Sequence, residues 1–325
     1  MTANKLTCFV LLLVTVSPAL AAQKELTQTD QFPAADGKTV FVDAATLDVR
    51  LRAADVRSIE VATELRIAGV SEERAASWIV DHTPQFSDDV SRLEVSARPG
   101  RQGFLWLGLL TARARIGLVV PPTVIPDITT TAGNVAIRGD FASATPLRLR
   151  TATGQIELNG AAGSLDVRSA SGDATVDVLR PLDRLFARTS SGDVTLTGGA
   201  REVKVDTASG DVRLTDLSGP AEVTTSTGKV FLSWDRLDPD ATVTVRSASG
   251  RIHLALPEGL RPRGTLTTTA GTIRSDLPGT VNEAGDTVTL QGDGPLLQIE
   301  TASGEITVGT GDDWSPAQTT PSPSP

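Results

Sequence analysis

The chain contains no tyrosine, one cysteine, one methionine and two histidines, and its rings amount to eight phenylalanines and four tryptophans in 325 residues. Each scarcity closes off a class of function. The single cysteine, Cys8, rules out an internal disulfide and a thiolate metal site. A zinc site wants three or four convergent ligands, and His82 and His253 stand far apart in the sequence. A Ser-His-Asp arrangement would need an exposed serine beside one of them. Both are expected to be solvated or capping, with His253 facing outward between Ile252 and Leu254. Sugar-cleaving β-helix enzymes need paired carboxylates and ring platforms. Outward acids are plentiful (Glu157, Asp166, Asp177, Asp206, Glu222, Glu300), but rings are not. Trp234, beside Asp235, is the best of a poor set and is expected to anchor a loop. No catalytic, cofactor-binding or metal-ligating residue is assigned.

Basic residues are also in deficit: 30 Lys and Arg face 39 Asp and Glu, a formal net charge of −9. An acidic chain argues against nucleic acid or anionic lipid as the main partner. Long apolar runs are missing apart from Leu6 to Val16. That run follows Lys5 and precedes Ser17-Pro18-Ala19-Leu20-Ala21-Ala22, so it reads as a secretory leader cleaved after Ala21 or Ala22. It is too short to read as a membrane span. Cleavage would remove one lysine and no acid, leaving a net charge of −10. The protein is therefore expected outside the cytoplasm: periplasmic, on the cell surface or secreted.

What the chain has in abundance is one phrase: Thr or Ser, two small residues, Gly, a variable residue, then alternating apolar positions. Nine copies end at Gly133, Gly154, Gly172, Gly192, Gly210, Gly228, Gly250, Gly271 and Gly304, spaced 21, 18, 20, 18, 18, 22, 21 and 33 residues apart. A period near 20 marks a solenoid, in which each repeat stacks on the next. Around Gly172, Leu165 and Val167 alternate with polar residues before the glycine, and Ala174, Val176 and Val178 do so after it. Each half is a strand with one dry face. The inward parity changes across the glycine, which calls for a tight corner where Gly supplies an unusual backbone conformation. The Thr or Ser three residues earlier keeps inward parity, so stacked coils would align these hydroxyls in a ladder. The residue after each glycine (Asn134, Gln155, Asp173, Asp193, Asp211, Lys229, Arg251, Thr272, Glu305) mixes acids, bases and neutral groups. That mixture disfavours a calcium β-roll and fits a solvated corner, with Asp or Asn bonding locally to the backbone.

The expected fold is all-β: a parallel β-solenoid (β-helix) of about nine coils with an N-terminal β-rich capping region. Residues 1–22 are the leader, 23–130 the cap, 131–310 the repeats, and 311–325 a disordered Pro-, Ser- and Thr-rich tail. Residues 23–37 are polar and read as frayed. Ser71 is expected to cap a short helix that begins with Glu72 and Glu73 and buries Trp78 and Ile79. The gap before Gly304 holds turn signals at Asn282 to Gly285 between Val281 and Val288, and reads as a hairpin or widened coil.

The copies Thr189-Ser190-Ser191-Gly192-Asp193-Val194-Thr195-Leu196 and Thr207-Ala208-Ser209-Gly210-Asp211-Val212-Arg213-Leu214 carry a family resemblance. With the leader and the β-rich lead-in, the chain resembles the bacterial DUF4097 β-strand-repeat family over roughly residues 38–308. That family is often labelled adhesin-like, a label that rests on architecture. The resemblance implies a non-enzymatic exported interaction protein of the cell envelope, whose partner is a protein or a cell-envelope polymer. An envelope-stress sensing or accessory component is the alternative, and a polysaccharide-active enzyme the lesser one. No site residues, cofactor or metal carry over from it.

One segment departs from the pattern. Phe104, Leu105, Trp106, Leu107, Leu109 and Leu110 form an apolar connection flanked by Arg98, Arg101, Arg113 and Arg115. It either packs on the solenoid end or presents a tip that meets a partner or a membrane interface.

Overall fold

The computed structural model describes residues 9–11, 22–98, 111–141 and 146–311. The chain is nearly all β, built from long stacks of parallel strands, as the repeat demands. It divides into two compact units, residues 1–192 and 193–325.

In the first unit the strands alternate between two sheets. One carries, in spatial order, 22–33, 58–70, 111–120, 48–53, 135–140, 156–161 and 174–178. The other carries 85–88, 92–96, 39–43, 125–129, 147–151, 164–169 and 184–189. Neighbours in the repeat region pair in parallel and in register: Ile137 opposes Leu158, Leu158 opposes Val176, and Leu149 opposes Val167. Apolar residues therefore stack on apolar residues. Leu149, Leu158, Val167 and Val176 are almost fully buried, while the polar residues between them stay at least partly in water. Each buried Val, Leu or Ile contributes about 1.5–3 kcal/mol, but only when a neighbouring coil covers it.

The lead-in joins these stacks directly. Thr39–Asp43 pairs in parallel with Ile125–Thr129 on one side and with Arg92–Ser96 on the other. Asp48–Ala53 likewise lies between Val135–Asp140 and Thr111–Val120. Spatial order and chain order thus differ: the strands at 39–53 sit inside those at 92–120. Beyond them the first sheet turns antiparallel, with Ser58–Val70 on Thr111–Val120 and Ala22–Pro33 on Ser58–Val70. Residues 23–33 are consequently ordered strand, where the sequence read as frayed; pairing with Ile59, Val61 and Leu65 fixes them despite their polar composition. The helix Glu72–His82 packs against these two strands, burying Ala75 and Ile79. Ser71 precedes it but makes no side-chain cap bond, and Trp78 is only half-buried.

The second unit repeats the two-sheet arrangement. One sheet runs 194–197, 212–217, 230–234, 252–256, 306–310, 273–275, and the other 203–209, 221–227, 242–249, 296–303, 263–270, 287–291, 279–281. Val223, Val245, Leu214, Leu232 and Leu254 fill its core. Here too the order is interrupted. Leu296–Ser303 is inserted between Thr242–Ser249 and Arg263–Ala270. Ile306–Thr310 is inserted between Ile252–Leu256 and Ile273–Ser275. The segment before Gly304 forms an antiparallel hairpin, Gly279–Val281 with Thr287–Gln291, laid against Arg263–Thr267. Asn282 closes its turn by accepting the N–H groups of Asp286 and Thr287, both at 3.1 Å.

Candidate functional site

The repeated phrase comes first, because it carries most of the hydroxyls. All nine Thr or Ser residues of the column are buried, each less than a tenth exposed. Their hydroxyls do not form the expected continuous ladder. The oxygens of Thr130 and Thr151 are 3.0 Å apart, but Thr151 and Ser169 accept from the backbone N–H of Gly154 (2.9 Å) and Gly172 (2.7 Å) in their own corners. Thr225 donates to the carbonyl of Thr227 at 3.0 Å. A hydroxyl three residues before the corner reaches its own backbone more readily than the next coil. Where these hydroxyls bond, they mostly brace their own corners; those of Thr189, Thr207 and Ser247 are buried without a hydrogen-bond partner.

The variable residue after the glycine links coils instead. Asp48 accepts the N–H of Asn134, whose side-chain oxygen accepts that of Gln155, both at 2.9 Å. In the second unit Asp193 accepts the N–H of Asp211, and Asp211 that of Lys229, both at 2.7 Å. The local backbone bonding expected from sequence is thus an inter-coil staple.

The glycines need correction as well. A β-carbon on Gly154 would stand 2.0 Å from the carbonyl oxygen of Gly133, and one on Gly172 would stand 1.8 Å from that of Gly154. Neither has a positive φ. In the first unit, close approach between coils requires glycine. In the second unit Gly228 and Gly250 add a φ of 132° and 154° to the same clash.

The two histidines are covered. His82 is 7% exposed, places Nδ1 2.8 Å from the carbonyl oxygen of Trp78 and stacks on its indole. Burial lowers its pKa, against the opposing influence of that carbonyl and Asp81. His253 points outward by strand parity, yet it is only 9% exposed, because it stacks on Phe231 with centroids 5.2 Å apart. Burial lowers its pKa too, helped by Arg213 and Arg251 and opposed by Glu305. The expectation of a solvated His253 fails because the flanking coils bring a ring and two guanidinium groups around it. Trp234 is an anchor, 5% exposed, with its indole N–H donating to the carbonyl of Gly219 at 2.9 Å.

Three of the outward acids named from the sequence face cations rather than one another. Asp166 bonds Arg168, Glu222 bonds Lys204, and Glu300 lies opposite Arg246 on the adjacent strand. Among the described residues no three metal-ligating side chains cluster, and no helix is long and apolar enough to cross a membrane. The apolar connection at residues 103–110 and the tail tryptophan, Trp314, lie outside the described residues.

One concave feature of the second unit is a cleft of about 700 Å³ beside the Trp234 turn. Its floor holds Phe231, with the Arg213 guanidinium 4.4 Å from the ring centroid on one flank and His253 stacked on the other. Three successive coils supply this row, because Arg213, Phe231 and His253 are in register. Ser233, Asp216, Asp235 and Glu258 line the walls. Asp216 has φ 62°, where the pairing with the next strand slips between Leu214 and Leu217. Its carboxylate accepts the Thr215 hydroxyl at 2.9 Å and the Gly198 N–H at 3.1 Å. Sequence reasoning missed the row, though a signal existed: Arg213, Phe231 and His253 each lie three residues past a corner glycine.

Stacked two-sheet coils with corner glycines define a β-solenoid whose polar groups face outward. The chain belongs to the Toastrack DUF4097 family, whose model matches residues 125–199 and 182–309. Among solved structures it is similar to a "putative adhesin" of Bacteroides fragilis at 12% identity, covering 87% of this chain and 96% of that one, with a TM-score of 0.41. It is also similar to a "putative lipid binding protein" of Parabacteroides distasonis at 13% identity, covering 87% and 96%, with a TM-score of 0.43. These likenesses carry no function to this chain. No curated protein matches it.

Proposed function

We propose that the protein is a non-enzymatic exported component of the cell envelope that holds a protein or an envelope polymer against its outer sheet face. The observation that carries this reading is the cleft beside Trp234. It has a braced aromatic floor, a guanidinium on one flank, and hydroxyl and carboxylate walls. Such a surface suits hydroxyl-rich or cationic groups of a polar partner, held by hydrogen bonds from preset positions. The non-enzymatic part is supported by where the reactive side chains went: the hydroxyl column is buried in the corners, and both histidines are covered.

Crosslinking and pull-down from intact cells tests it, comparing wild type with Ala255→Trp, which fills the cleft from its wall. The expected result is a captured partner that the variant loses while its melting curve stays unchanged. Equal capture by both proteins would overturn the cleft, and release of glycan fragments by purified protein would overturn the non-enzymatic reading.

A further inference from the structure

We propose that the outer face of the strands Leu147–Thr151, Ser164–Ser169 and Arg184–Thr189 binds a linear, carboxylate-bearing polysaccharide running along the stack of coils. This surface belongs to the first unit and goes beyond the cleft beside Trp234. Alternation buries Leu147, Leu149, Leu165, Val167, Leu185 and Ala187 and turns the residues between them outward. Five of those eight outward residues are arginine: Arg148, Arg150, Arg168, Arg184 and Arg188. One, Asp166, is acidic. The chain as a whole has a formal net charge of −9, so the overall balance hides a basic face.

The register stacks like charge on like. Arg150 opposes Arg168, and Arg168 opposes Arg188. Like charges directly opposite destabilise a sheet. In the second unit the corresponding sheet sets opposite signs together, Lys204 against Glu222 and Arg246 against Glu300. Arg148 stands between Asp127 and Asp166 of the flanking strands. Both acids turn to other arginines, Asp127 to Arg150 at 2.8 Å and Asp166 to Arg168 at 3.0 Å. Among the described residues Arg148 makes no ion pair. Arg184 and Arg188 have partners of their own, so Arg148, Arg150 and Arg168 carry the site.

Charge and spacing select the occupant. Paired strands lie about 4.8 Å apart, so the guanidinium groups recur at a spacing comparable to that of successive sugars in an extended polysaccharide. Their planar forks take carboxylates in bidentate fashion. Phe186 opposes Asp166 and lies 5.5 Å from the Arg168 guanidinium. A ring beside a hydrogen-bond acceptor suits the apolar face and the hydroxyls of a sugar. A polyphosphate chain has neither for these two residues to hold. A single-stranded nucleic acid would use several stacking rings, and these three strands present one.

Affinity electrophoresis of the full chain in gels containing polygalacturonate tests it, with uncharged dextran as the control polymer. The expected result is retardation by polygalacturonate alone, with an affinity that falls about tenfold between about 50 and about 200 mM salt. Arg148→Glu and Arg168→Glu should each weaken binding about tenfold. Lys229→Glu makes the same change of net charge at an exposed corner of the second unit and should leave binding unchanged. Melting curves check that every variant is folded. A wild-type chain that ignores polygalacturonate, or binds it regardless of salt, overturns the proposal. So does an equal loss from Lys229→Glu and Arg148→Glu, which would make the attraction a matter of net charge. Tighter binding of polyphosphate or single-stranded DNA would overturn the sugar as occupant.

Discussion

A corner glycine in this protein answers to its neighbour more than to its own dihedral angles. The carbonyl of the preceding coil occupies the space a side chain would need, as at Gly154 and Gly172. Gly37 is the opposite case, with φ 73° and nothing within 4 Å of a built β-carbon. Gly37→Ala should therefore cost about 1 kcal/mol, the usual penalty for a left-handed backbone. Gly172→Ala should cost more than about 3 kcal/mol, because two coils must separate. Urea unfolding of the two variants checks the ranking; equal losses would mean that backbone conformation alone dictates the glycines. The period of these residues was legible in the sequence, but the reason for them was not. The conflicting atom belongs to a residue about one coil away, and no local pattern records it. The Arg213–Phe231–His253 row was hidden in the same way, being local in space and distant along the chain.

Strands and corners were legible where they repeat and misleading where the repeat is interrupted. Alternation placed Val203, Val205, Val212 and Leu214 inward, and all four are buried. The wide gap before Gly304 read as a hairpin or a widened coil, and a hairpin is there. Sequence spacing gave no sign that the strands after that hairpin go back inside the stack. Periodicity reports which face of a strand is dry, and the face is the same whichever coil it stacks on. Removal of everything after Gly292 would therefore take out an interior coil. The strands Arg263–Ala270 and Ile273–Ser275 would lose Leu296–Ser303 and Ile306–Thr310, their parallel neighbours. Limited proteolysis should then cut residues 263–291 rapidly while sparing 203–256. A truncated chain that protects 263–291 would show that the hairpin side holds this coil unaided.

At the scale of the whole molecule, each unit keeps one buried histidine, His82 in the first and His253 in the second. Burial lowers both pKa values from the ordinary 6.5, so below that value the unfolded chain binds more protons than the folded one. Stability is then full above about pH 6.5 and falls as the pH drops through the window beneath it. Thermal melts from pH 7.5 down to 5 should show the loss, with pH values about those of the imidazole range. His253→Phe, which keeps the stack on Phe231 without a proton to bind, should lose less of its stability over that range than wild type. Identical acid profiles would place the sensitivity in the carboxylates. The inserted strands of the second unit also set an order of events. Residues 263–275 are synthesised before 296–310, yet the later strands stand between them and 242–256. The slot must stay open, with its Leu and Val faces wet, until the last strands arrive. For a chain threaded N-terminus first through a membrane, the second unit can close only after translocation is nearly complete. If the chain is exported, as proposed above, folding of this unit waits until the chain has crossed.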